Sequence, residues 1–133
     1  MNHDSLSSSS AKTVAVVGAS THREKYGNRA VRAYRAAGWR VYPVHPSAAA
    51  IEGIPAYRSV LDIPGPVHRA TVYLPPAKTL EILGALAAKG VSEVFLNPGA
   101  EDAQVIARGE GLGLVLVLAC SIVDIGRSPE RPE

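Results

Sequence analysis

The run from Val14 to Ala30, VAVVGASTHREKYGNRA, leaves this chain few folds to choose from. An apolar stretch, Thr13 to Val17, breaks at Gly18 and Ser20, crosses a polar loop with Arg23 and Lys25, and restarts as a helical pattern after Gly27 and Asn28. Buried strand, glycine loop and helix, in that order, aim main-chain N–H groups and a helix N-terminus at one point. α/β sheets receive phosphate groups at such points. A phosphorylated ligand is the leading expectation.

The rest of the chain supplies the sheet. Asn28 is placed as N-cap of a helix in which Ala30, Val31, Tyr34 and Ala37 recur at helical spacing until Gly38. Arg29, Arg32 and Arg35 then fall on its wet side, where Arg32 and Arg35 read equally well as a solvated face or as an anion-attracting rim. Arg29 is harder to dismiss, because a cation at a helix start opposes the macrodipole unless an anion sits nearby. Val41 to Val44 is a second strand, interrupted by Pro43 and closed by His45-Pro46. A short edge strand is expected at Ile54 to Tyr57 and a helical turn from Ser59 to Ile63. Ala70 to Leu74 is the next strand; Pro75-Pro76 ends it and opens a helix carrying Leu80, Leu83, Leu86 and Ala87 as far as Gly90. Glu93 to Leu96 runs into the turn Asn97-Pro98-Gly99, a short helix with acidic Glu101 and Asp102 in its first turn, and a last strand at Leu114 to Leu118.

Apolar strands separated by helices indicate a parallel sheet covered on both faces. The expected fold is α/β: a Rossmann-like, doubly wound, three-layer αβα sheet of order 3-2-1-4-5-6, with the Ile54 strand at one edge. Residues 13–124 form this single domain, residues 1–12 read as a disordered leader and residues 125–133 as a flexible tail. With 47% hydrophobic and 20% charged residues the chain is globular, and 5% aromatics leave the core to aliphatic side chains. A net charge of +2 is too small to argue for nucleic acid. Cys120 is the only cysteine, which excludes an internal disulfide and makes a cytoplasmic setting the default. No apolar run approaches the ~20 residues of a membrane span.

Three features narrow the ligand. The loop from Gly18 to Gly27 is longer and more polar than the dinucleotide fingerprint G-x-G-x-x-G. No carboxylate ends the second strand, at Val44-His45-Pro46, where a nicotinamide dinucleotide needs one for its ribose. The phosphate-gripping G-K-[ST] is absent as well. A ligand with a pyrophosphate, an adenosine and extra negative charge remains, held by loop amides, Ser20, and Arg23 or Lys25.

The segments VAVVGAS (Val14 to Ser20), YGNRA (Tyr26 to Ala30), GWRVYPVHP (Gly38 to Pro46), IPAYRSVLDIP (Ile54 to Pro64), VYLPP (Val72 to Pro76) and VFLNPGAEDA (Val94 to Ala103) carry a family likeness. The chain resembles the small stand-alone CoA-binding domain proteins, related to the CoA-binding domain of the succinyl-CoA synthetase α subunit. The resemblance implies coenzyme A or acyl-CoA as ligand, with the pyrophosphate at Gly18, Ala19 and Ser20. It implies phosphate contacts from the basic residues of the same loop, with Arg23, Lys25, Tyr26, Asn28 and Arg29 as candidates. The adenosine end would border His45 and Pro46. The pantetheine arm would lie between Leu74, Pro75 and Pro76 on one side and Asn97, Pro98 and Gly99 on the other. His45 stands where members commonly carry asparagine, and the Asn97 to Gly99 turn replaces a glutamine-containing one.

No catalytic set emerges. His22 on the loop and His45 on the turn are each candidates for ligand contact; no histidine is paired with a nucleophile and an orienting acid, and no metal-ligand spacing occurs. Cys120 reads as a small hydrophobe rather than a reactive thiol. The leading expectation is a binding module for CoA that works without a catalytic site, a nucleic acid or a membrane. An NAD(P)-binding oxidoreductase domain, the CoA-binding subunit of an acyl-CoA ligase, and a regulatory partner that docks a protein in its groove are the alternatives; a homodimer stays open. A β-branched residue at Gly18 is expected to block the ligand without unfolding the domain.

Overall fold

The structure, a computed structural model, describes residues 11–133; the expected leader lies outside the described residues apart from Ala11 and Lys12. The elements in chain order are β1 (Thr13–Val17), α1 (Tyr26–Ala36), β2 (Arg40–Val44), β3 (Ala50–Ile51), β4 (Ile54–Pro55), β5 (Arg69–Val72), α2 (Pro76–Lys89), β6 (Glu93–Leu96), α3 (Ala103–Gly111), β7 (Leu116–Leu118) and α4 (Ser121–Asp124). A single 3-10 turn, Val60–Asp62, follows β4, and Ser59 Oγ caps it by accepting from Leu61 N. Five strands form one parallel sheet in the order β2-β1-β5-β6-β7.

All five residues of β1 are buried, and the pleat divides them between two cores. Val14 and Val16 meet Ala30, Val31 and Tyr34 of α1 and Ile122 of α4. Ala15 and Val17 face the other way, onto the cluster that holds Leu83 and Leu86 of α2 and Val105 of α3. Each such buried Val or Leu contributes about 1.5–3 kcal/mol relative to exposure. The three layers are therefore held by one strand's alternation as much as by the helices. Pro43 is accommodated because β2 is the outer strand.

Three expectations are corrected. Ile54 to Tyr57 is no continuous edge strand: Ile54–Pro55 pairs antiparallel with Ala50–Ile51, and only Tyr57 reaches the sheet, through one parallel bridge to Val44. The cause is the turn Glu52-Gly53, whose φ values of 52° and 76° are the left-handed pair that closes a two-residue hairpin. The order 3-2-1-4-5-6 thus stands for five strands, with its outermost position reduced to a bridge.

Asn28 is not the N-cap of α1. The helix begins at Tyr26 after an extended Lys25, and Asn28 is buried within its first turn. Arg32 does not face water either: it is 8% exposed, donates from Nε to Asn28 Oδ1 at 2.8 Å, and reaches the carbonyl of Arg23 at 2.7 Å. Arg35 alone of the three basic residues is fully on the wet side.

Candidate functional site

The loops after β1, β5 and β6 meet at the carboxyl edge of the sheet, around a cleft of about 780 Å³. Its α1 side depends on two close approaches. Gly18 sits at φ +88°, and a Cβ there would stand 2.9 Å from the main chain of Tyr73. A Cβ on Gly27 would run into the Gly18 carbonyl oxygen. Only glycines let the first turn of α1 settle on the end of β1 while β1 stays tucked against β5. This changes the expectation for Gly18: a β-branched residue there collides with protein before it meets any ligand, so it disturbs the fold.

Among the described residues no side chain caps the start of α1, and its first turn carries no acid. The helix end is therefore left for an anion, which the macrodipole favours. Lys25 lines the cleft beside it and makes no ion pair among the described residues. Asn28 ties the loop down by donating from Nδ2 to the Ser20 carbonyl at 2.9 Å. The same amide donates to Glu52 at 3.1 Å. That hydrogen bond, reinforced by Arg23, holds the Glu52 carboxyl below the usual range. Ser20 Oγ accepts from His22 N at 3.0 Å, which bends the loop into the cleft.

The opposite wall is neutral. Leu74 and Pro75 lie on one side and Asn97, Pro98 and Gly99 on the other. The Asn97 side chain is consumed by the scaffold: it donates to Thr71 Oγ1 at 2.7 Å and to the Val72 carbonyl at 3.0 Å, and accepts from Ser121 N at 2.8 Å. Cys120 and Tyr73 also line the cleft. The Tyr73 hydroxyl is buried with no hydrogen-bond partner among the described residues, and burial pushes its pKa up.

Of the residues expected at a ligand site, Gly18, Ser20, Lys25, Tyr26, Leu74, Pro75, Asn97, Pro98 and Gly99 line this one cleft. Ala19 and Asn28 are buried behind it. Pro76 is the first residue of α2. Arg23 turns to Glu52 and Glu133. Arg29 donates to the Pro129 carbonyl and stacks on the Tyr26 ring. His45 and Pro46 do not line the cleft, and His45 Nδ1 instead accepts from the amides of Ser47 and Ala48. His22 does line it.

Gly27, Tyr73, Ala100, Cys120 and Pro129 are lining residues that the sequence did not assign to a ligand. For Cys120 the signal was its place just past a strand's end; Tyr73 gave none, because the strand was expected to run on to Leu74 whereas β5 ends at Val72. Pro129 belongs to the stretch read as a tail and gave none. Among the described residues no cluster of three or more His, Cys, Asp or Glu side chains offers a metal site, and no helix is long and apolar enough to cross a membrane.

The model of one protein family, described as "CoA binding domain", matches residues 12–126. The chain belongs to that family. This CoA-binding domain is similar to the ADP-forming acetate–CoA ligase I of Archaeoglobus fulgidus, 36% identical over 99 residues. It is also similar to the α subunit of the ADP-forming acetate–CoA ligase II of Pyrococcus furiosus, 33% identical over 84 residues. The aligned parts are 70% and 62% of this chain but only 14% and 18% of those relatives. Two solved structures match the domain over nearly their whole length. A conserved hypothetical protein of Pyrococcus furiosus has a TM-score of 0.77 at 30% identity, with 86% of this chain and 98% of that one covered. A Thermus thermophilus protein has a TM-score of 0.78 at 30% identity, with 93% and 96% covered.

Proposed function

We propose that this domain binds coenzyme A or an acyl-CoA in the cleft, without a catalytic site of its own. The observation that carries the reading is the uncapped start of α1, opening with Lys25 onto a cleft whose far wall is neutral. Such a site is polarised in the same sense as coenzyme A, in which a charged pyrophosphate leads into a weakly polar pantetheine arm. The pyrophosphate would take the α1 amides, Ser20 and Lys25; the arm would run between Leu74–Pro75 and Pro98–Gly99 toward Cys120, with the Tyr73 hydroxyl as a donor to it. An NAD-type reading is weaker. Glu52, the carboxylate that the β3–β4 turn brings to this loop, is already taken by Asn28 and Arg23.

Among the described residues no group lining the cleft has the partners a catalyst needs. His22 is the described histidine that lines it, and no described carboxylate is hydrogen-bonded to it; His68 is occupied with Thr13. A second reading, the CoA-binding part of a ligase completed by another chain, is favoured by the relatives, which are ligases several times longer than the aligned region. Both readings require that the domain bind CoA. Calorimetric titration with CoA and with NAD tests this: CoA should bind and NAD should not, and Tyr73→Phe should weaken CoA. Tight NAD binding, or none by CoA, would overturn the reading.

A further inference from the structure

The basic cluster beside the cleft is not free. Arg32 is almost wholly buried, with its guanidinium fixed by Asn28 Oδ1 and the Arg23 carbonyl, and its remaining outward N–H group meets Glu133 Oε1 at 3.1 Å. Arg23, on the loop that also carries Ser20 and Lys25 into the cleft, approaches the same Glu133 oxygen at 3.6 Å. Two guanidiniums converging on one carboxylate oxygen make a preorganised anion site, because Arg presents fixed donors and the buried one cannot turn away. The occupant is the chain itself. Residues 127–133 are drawn over α1 by Arg127 on the Ala36 carbonyl, by Arg29 on the Pro129 carbonyl, by a bridge between Ser128 and Arg131, and by the burial of Pro132. Pro129 thereby forms part of the cleft wall.

We propose that Arg23 and Arg32 form a second anion subsite, built for a phosphate monoester, which the Glu133 carboxylate fills until a ligand displaces it. The proposal rests on the CoA reading, since CoA bears such a monoester on its ribose in addition to the pyrophosphate. A monoester carries close to two negative charges at pH 7 and three acceptor oxygens, against one charge and two oxygens for a carboxylate, so it wins the exchange. The half-exposed setting of Glu133, with 49% of its side chain accessible, keeps the ion pair it must give up weak. Residues 127–133 then act as a strap that a ligand lacking the monoester cannot lift.

The test is the affinity ratio of CoA to dephospho-CoA, measured by calorimetry on the full chain, on Glu133→Gln and on Arg23→Gln. Glu133→Gln should bind CoA about three- to tenfold more tightly and dephospho-CoA unchanged, as expected for removing one competing charge. Arg23→Gln should bring CoA toward the affinity of dephospho-CoA. Hydrogen exchange provides a second readout: amides of residues 127–133 should lose protection with CoA and keep it with dephospho-CoA. If both ligands bind but the ratio is the same in all three proteins, this subsite is wrong while the CoA reading stands. If neither ligand binds to any of the proteins, both fail.

Discussion

Two helix starts face the same edge of the sheet and treat an anion in opposite ways. α3 brings its own: Asp102 caps it, accepting from Val105 N at 2.9 Å, and Glu101 takes the amide of Gly99. α1 has no cap, no acid in its first turn, and a glycine where its axis meets the end of β1. The first start is electrostatically complete and the second is not. The incomplete start is the one that opens on the cleft with a lysine beside it. An uncapped helix start leaves its amides open to an anion where a capped one does not, and composition alone does not reveal which of two starts has been left open.

The largest test of this contrast is Gly27→Val. The added side chain would overlap the Gly18 carbonyl, so urea unfolding should show a loss of about 3 kcal/mol or more, if the protein folds at all. A stable, normally melting variant would mean that the close seat of α1 on β1 is not required. A paired substitution sharpens the difference. Asp102→Ala should cost about 1 kcal/mol of stability and leave CoA affinity alone, whereas Lys25→Met should leave the melting temperature alone and weaken CoA about five- to tenfold. Should both variants move stability and neither move affinity, the two starts would be equivalent and the contrast lost.

The smallest effect concerns pH. Glu52 has its carboxyl pKa held below the ordinary 4.5 by Asn28 and Arg23. The stabilisation it supplies is therefore present above pH 4.5 and lost as the pH falls through the lowered value. Glu52→Gln should be less stable than the parent at neutral pH, and the gap should close in acid; a gap of constant size from pH 7 to pH 3 would contradict the assignment.

Most of the fold was written in patterns of one residue type at a time. The apolar run Val14 to Val17 of β1, the proline pair that opens α2, and Gly90 at φ +78° closing it each carry a local physical signal. Legibility failed where the decision was tertiary. Glu52-Gly53 turned a supposed edge strand into a hairpin and delivered a carboxylate 24 residues away to Asn28. That same contact satisfies Asn28 inside the helix, where a residue of its type reads from sequence as a cap. Arg32 followed, buried because Asn28 and the Arg23 carbonyl satisfy it. The glycine loop and the two proline-rich turns were recognisable as one rim from topology alone. Pro129 and Glu133 were not, since nothing local in RSPERPE says what it lies against.

The bonds made by Asn97 have a further consequence. Its amide has no donor to spare: both N–H groups are committed to β5, and the carbonyl oxygen already accepts from the first turn of α4. A residue so placed is a keystone rather than a sensor. Selection for a different cargo would have to act on neighbours whose side chains are uncommitted, such as Leu74, Ala100 and Cys120, and the rim could change its preferences many times while its shape is inherited intact.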